Sequence, residues 1–117
     1  MILQSALLSV RPESASEFES SFRKAQHMLT GARGYISHEL NKCVEKNGQY
    51  LLLVQWQSVG DHVAAFVRSQ GYAEWEKALA PFYVEEPQSD HYVRIRLDGP
   101  ASLAKEREHR AEERHED

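Results

Sequence analysis

Two stretches of this chain read as β-strands that are apolar on both faces. The first holds Ile2, Leu3, Ala6, Leu7, Leu8 and Val10; the other runs from Leu51 to Val54. A strand apolar on both sides belongs in the middle of a sheet, with cover above and below. The two must therefore be central neighbours or near neighbours, and each face of their sheet must be closed by something.

The remaining elements say what closes one face. Ser14-x-x-Glu17 has the spacing of a capping box at a helix start. Phe18, Phe22, Ala25 and Leu29 then recur at helical spacing, and Gly31 is placed to end the helix in a left-handed conformation. A second strand follows over about Tyr35 to Cys43. Asn47-Gly48 predicts a tight hairpin with positive φ at both central residues, leading into the third strand. Ser58-x-x-Asp61 opens a short helix that ends near Arg68, and Ser69 caps another that reaches about Leu79 or Pro81. Pro87 bars further helix, and His91 to Leu97 reads as a last strand with Val93, Ile95 and Leu97 on one side. The order β-α-β-β-α-β is the split βαβ, or ferredoxin-like, α+β arrangement. Its four-stranded antiparallel sheet has the order 4-1-3-2, which puts the two doubly apolar strands in the centre. The helices cover one face only. The open face needs a lid, and a second copy of the chain is the natural one, which predicts a homodimer.

With 117 residues there is material for one domain, over residues 1–97, and a distinct charged tail over 98–117. The first part carries 10 Lys and Arg against 11 Asp and Glu, and the tail 4 against 7. No basic stripe exists for nucleic acid to follow. No apolar run approaches the roughly 20 residues that cross a bilayer, and the apolar start lacks the basic leader and cleavage site of a signal peptide. The single cysteine, Cys43, cannot form an intrachain disulfide and suits a reducing cytoplasm; it reads as an idle thiol beside Lys42. In the tail, Glu106 and Arg110 lie one helical turn apart, and His109 and Glu113 share a face that could hold a metal loosely. A solvated face is the better account of such a charge run.

Chemistry concentrates between residues 56 and 82, in the pattern W-x5-H-x3-F-x2-S-x2-Y-x2-W-x3-L-x2-F. His62 and Phe66 are four apart and share a helix face. His62 also lies in a first helical turn, where the positive helix end favours neutral imidazole, so it is the candidate base. His91 is the second candidate, because it and Tyr92 point to opposite faces of the last strand and one must look inward. Trp56, Phe66, Tyr72, Trp75 and Phe82 are candidate walls for a small aromatic ligand, although core packing is the better account of each taken singly. His38 shares a face with Ile36 and Leu40 and reads as an interface histidine; His27 reads as surface. Neither a phosphate-binding glycine loop, a Cys/His metal spacing nor a serine nucleophile motif is present, so no metal and no cofactor is expected.

Trp56-Gln57-Ser58, His62, Ser69-x-x-Tyr72-x-x-Trp75, Pro81-Phe82-Tyr83 and His91-Tyr92, in a β-α-β-β-α-β chain of this length, resemble the antibiotic biosynthesis monooxygenase family over about residues 1 to 97. The resemblance implies a homodimer with sheet packed on sheet and a pocket between sheet and helices. It also implies oxidation of a phenol or quinol by molecular oxygen without flavin or metal. The protein then contributes orientation, desolvation and a proton acceptor. The family's haem-degrading branch uses an Asn, a Trp and a His where this chain has Ala6, Phe66 and Glu76, so haem degradation is not expected. The polyketide-oxidising branch has a Trp at Phe66 and an Asn at His62, and the run from Trp56 to Phe66 is slightly longer here. Two readings follow: a cofactor-independent monooxygenase acting on a small phenolic or quinol-type compound, or a non-catalytic dimeric module that binds a small apolar molecule.

Overall fold

The computed structural model describes residues 1–98; the charged tail after Asp98, with the His109 and Glu113 pair, lies outside the described residues. Strands β1 (Ile2–Ser9), β2 (Tyr35–Lys42), β3 (Gln49–Trp56) and β4 (Gln88–Tyr92) form one antiparallel sheet in the order β2-β3-β1-β4, the predicted 4-1-3-2. Helix α1 (Ala15–Thr30), a π turn (Asp61–Phe66) and helix α2 (Gln70–Leu79) lie against one face. On β1 and β3, Gln4, Ala6, Leu8, Tyr50, Leu52, Val54 and Trp56 point to that face and are buried with Phe18, Phe22, Ala25 and Leu29 of α1. Alternation along each strand sends Leu3, Leu7, Leu51 and Leu53 to the other side. There Leu7 pairs directly with Leu51, and each remains 38% exposed.

Several local details differ from what the pattern predicts. The Ser14 side chain makes no capping bond, because a 3₁₀ turn over Pro12–Ser14 runs straight into α1 and the Ala15 amide already reaches the Pro12 carbonyl. Gly31 is not left-handed; Gly34 is, at φ +79°, with Asp61 so close that a Cβ there would collide with its carboxylate. At Asn47-Gly48 only the glycine has positive φ, and its carbonyl accepts from the Val10 amide at 2.7 Å. The last strand is displaced most. It pairs Gln88 to Tyr92 with Leu7 to Leu3, and β1 begins at Ile2, so among the described residues no strand pairs with those past Tyr92. Val93, Ile95 and Leu97 are left exposed.

The short helix after Ser58 also departs from the α form. Ser58 Oγ accepts from the Asp61 amide at 3.1 Å, as expected for a helix start. The Val67 amide, however, bonds back five residues to the His62 carbonyl at 3.0 Å. A π turn holds one residue more than the α-helical i→i−4 turn. Ser69 caps α2 as predicted, with its Oγ accepting from the Tyr72 amide at 3.1 Å.

Candidate functional site: a histidine pair in an aromatic cluster

Trp56 ends β3 on the helix-covered face and is fully buried. The π turn lays His62 over it, with ring centroids 5.1 Å apart and planes at 30°. Phe66 packs against the same indole at 5.5 Å, and Tyr72 meets Phe66 edge-on at 5.3 Å. From across the sheet His91, near the end of β4, points inward while Tyr92 points out. A hydrogen bond of 2.8 Å joins His62 Nδ1 to His91 Nε2. The two histidines, 29 residues apart, are thus brought together.

The other two candidates sit elsewhere. Trp75 packs edge-on against Phe22 at 5.2 Å, and Phe82 lies 6.0 Å from Phe18, so both belong to the core under α1. Tyr72 is half-buried, and its hydroxyl donates to Glu76 at 3.2 Å. The His38 reading is corrected. A bulge between Tyr35 and Ser37 shifts the phase of β2, so Ile36 faces out while His38 faces α1. There His38 bonds to the Tyr35 hydroxyl at 2.6 Å and to Gln26 Oε1 at 2.9 Å. His27 is exposed, as expected.

Gln4 was not singled out in the sequence, although a glutamine in phase with Ala6 and Leu8 on a buried strand face was a visible signal. Its Oε1 accepts from Trp56 Nε1 at 2.9 Å, and its Nε2 donates to Ser89 Oγ at 2.8 Å. That bridge fixes the indole on which His62 rests and ties it to β4 beside His91.

Burial, and after it the charge His91 would carry, together depress the His62 pKa to about 4. His62 is therefore a neutral imidazole at neutral pH. Unfolding returns the group to its ordinary value of 6.5, so between the two values the unfolded chain binds more protons than the folded one. Stability is then full above the unfolded value and falls as pH drops towards the folded value. His38, also lowered by burial, acts in the same direction. Urea melts at pH 7 and pH 5 should give a lower midpoint at pH 5; equal midpoints would contradict the burial of these rings.

Among the described residues no group of three or more His, Cys, Asp or Glu converges to hold a metal ion, and no helix is long and apolar enough to cross a membrane.

A four-stranded antiparallel sheet in this order, with helices on one face, defines a ferredoxin-like α+β domain, and a hydrogen-bonded histidine pair lies where the π turn meets β4. The sequence profile of the antibiotic biosynthesis monooxygenase family matches residues 1–78, and the chain belongs to that family. It is 39% identical over 92 residues to an uncharacterised Bacillus subtilis protein, YczJ, across 79% of this chain and 97% of that one. A crystal structure of a protein from Bordetella bronchiseptica, named for the same family, is 29% identical; it superposes with a TM-score of 0.78 over 80% of this chain and 96% of that one. SnoaB, a cofactor-independent oxygenase from Streptomyces nogalater, shares the fold at a TM-score of 0.69 and 16% identity, over 82% of this chain and 94% of its own.

Proposed function

We propose that the protein is a cofactor-independent monooxygenase acting on a small phenolic or quinol-type aromatic compound, with His62 as proton acceptor. The observation that carries this is the His62–His91 bond: a neutral imidazole, held on an aromatic floor and backed by a second base. Oxygen reacts with such a substrate once it is deprotonated, and an acceptor poised as the free base meets that need. Trp56, Phe66 and Tyr72 supply the apolar surroundings, and SnoaB shows that this fold hosts oxygenation without a cofactor. The test is an oxygen-electrode screen of hydroquinones, anthrones and simple phenols, in which at least one should be consumed with oxygen uptake above the uncatalysed rate. A non-catalytic binding module is the second reading. A groove of about 410 Å³ between α1 and β2, sharing no residue with the His62 cluster, offers it a place: Phe22, Leu40 and Tyr50 give apolar contact, and Glu19, Arg23 and Lys42 put charge around them.

The working form in this proposal is a homodimer in the cytoplasm, joined through the open sheet face. Leu3, Leu7, Leu51 and Leu53 make that face apolar at its centre, as a lid would require. Light scattering at micromolar concentration should return twice the 13.4 kDa chain mass, and a clean monomer would refute the interface. Haem is not a substrate in this account. Ala6 and Phe66 are buried apolar groups, and the carboxylate at Glu76 is bonded to Tyr72, so no imidazole stands there to hold the iron. With haem and a reductant the Soret band should decay no faster than with a control protein, whereas faster loss with release of iron would overturn this.

A further inference from the structure

We propose that His62 and His91 share one proton and move it as a unit, with His62 the buried end that receives it and His91 the outlet to solvent. The inference rests on the oxygenase reading above. His62 is 8% exposed and stacked on Trp56, so it cannot swing out to deliver a proton to water. Its Nδ1 meets His91 Nε2 at 2.8 Å, and among the described residues its Nε2 has no hydrogen-bond partner. His91 is half-buried, next to the exposed residues that follow β4. The carboxylates next to the two histidines in sequence face away. Asp61 on the same turn is held by Ser58 and Arg33, and Asp90 on β4 pairs with Ser5 and points to the open face.

The phenolic O–H bond breaks and its proton goes to His62 Nε2. The proton on His62 Nδ1 passes to His91 Nε2, and the proton on His91 Nδ1 leaves to water. The relay moves no electrons; the phenolate reduces dioxygen. One oxygen atom replaces the hydrogen of a ring carbon to give the quinone. The other leaves as water, carrying that hydrogen and a proton returned from solvent.

The test uses the full-length protein with ¹⁵N-labelled histidine and the variant His91→Gln, which retains hydrogen-bonding capacity but carries no titrating proton. In His91→Gln, His62 should titrate at higher pH, because a neighbouring positive charge is gone. With the best phenol from the screen, kcat of His91→Gln should fall ~10-fold, less than the range for loss of the base itself. Added imidazole should restore it, which a merely structural defect would not allow. Identical His62 titration in both proteins would overturn the shared proton. A loss of turnover that imidazole does not rescue would overturn the outlet. Absence of oxygen uptake by the wild type with every phenol would instead remove the oxygenase reading, and with it the relay's part in catalysis.

Discussion

His62→Ala should lower kcat for oxygen consumption by ~100-fold or more, the usual scale for a positioned base, while the protein still folds. The size follows from the geometry. His62 is the buried member of the pair, held neutral by desolvation, and among the described residues no other imidazole packs against the Trp56 and Phe66 rings. His91→Ala should cost less, since solvent can still take the proton more slowly. Because the alanine variant leaves a gap above the indole, His62→Asn provides a second variant that retains some volume, and thermal melts of both separate lost chemistry from lost packing. Full activity in His62→Ala together with loss in His91→Ala would move the base to β4.

Trp56→Ala should destabilise the domain by ~3–5 kcal/mol, the range for deleting a large buried aromatic side chain. The indole is fully buried, it carries the His62 and Phe66 rings, and Tyr35 meets it edge-on at 6.4 Å. Domains of this size have about 5–15 kcal/mol to lose, so the melting temperature should fall by on the order of 20 °C. Trp56→Phe keeps a ring but removes the N–H that Gln4 accepts. Its cost should be smaller, about 1–3 kcal/mol for a buried acceptor left without a donor. Calorimetry of the two variants would measure the ring and the hydrogen bond separately. A Trp56→Ala protein that melts within a few degrees of the wild type would show that this residue does not anchor the cluster.

The sheet order was legible because Leu7 and Leu8, and likewise Leu51 and Leu52, place apolar groups on opposite faces of their strands, and only central strands satisfy that. The helices were legible from the Phe18-to-Leu29 stripe and from Ser69. What escaped the sequence depends on contacts between distant residues. The alternation of Val93, Ile95 and Leu97 reads as a strand, but a strand needs a partner, and β1 has only Ile2 and Met1 left beyond Leu3. The facing of His38 turns on a bulge at Tyr35/Ser37, which period-two patterning does not encode. Ser14 has the capping-box spacing, yet the preceding Pro12 starts a 3₁₀ turn that already uses the local donor. Within the site, His62 and Phe66 were legible as one helix face. The bond from His62 to His91 was not, since nothing in a spacing of 29 residues joins a π turn to a sheet edge.

Incorporation of ¹⁸O tests the oxygenase claim most directly. The purified, chelator-treated protein would be given the best phenol under ¹⁸O₂ in ordinary water, and the product examined by mass spectrometry. One ¹⁸O atom should appear in each quinone formed, at a rate that His62→Ala lowers by ~100-fold or more. Product without label, or labelled product formed equally fast by His62→Ala, would contradict it.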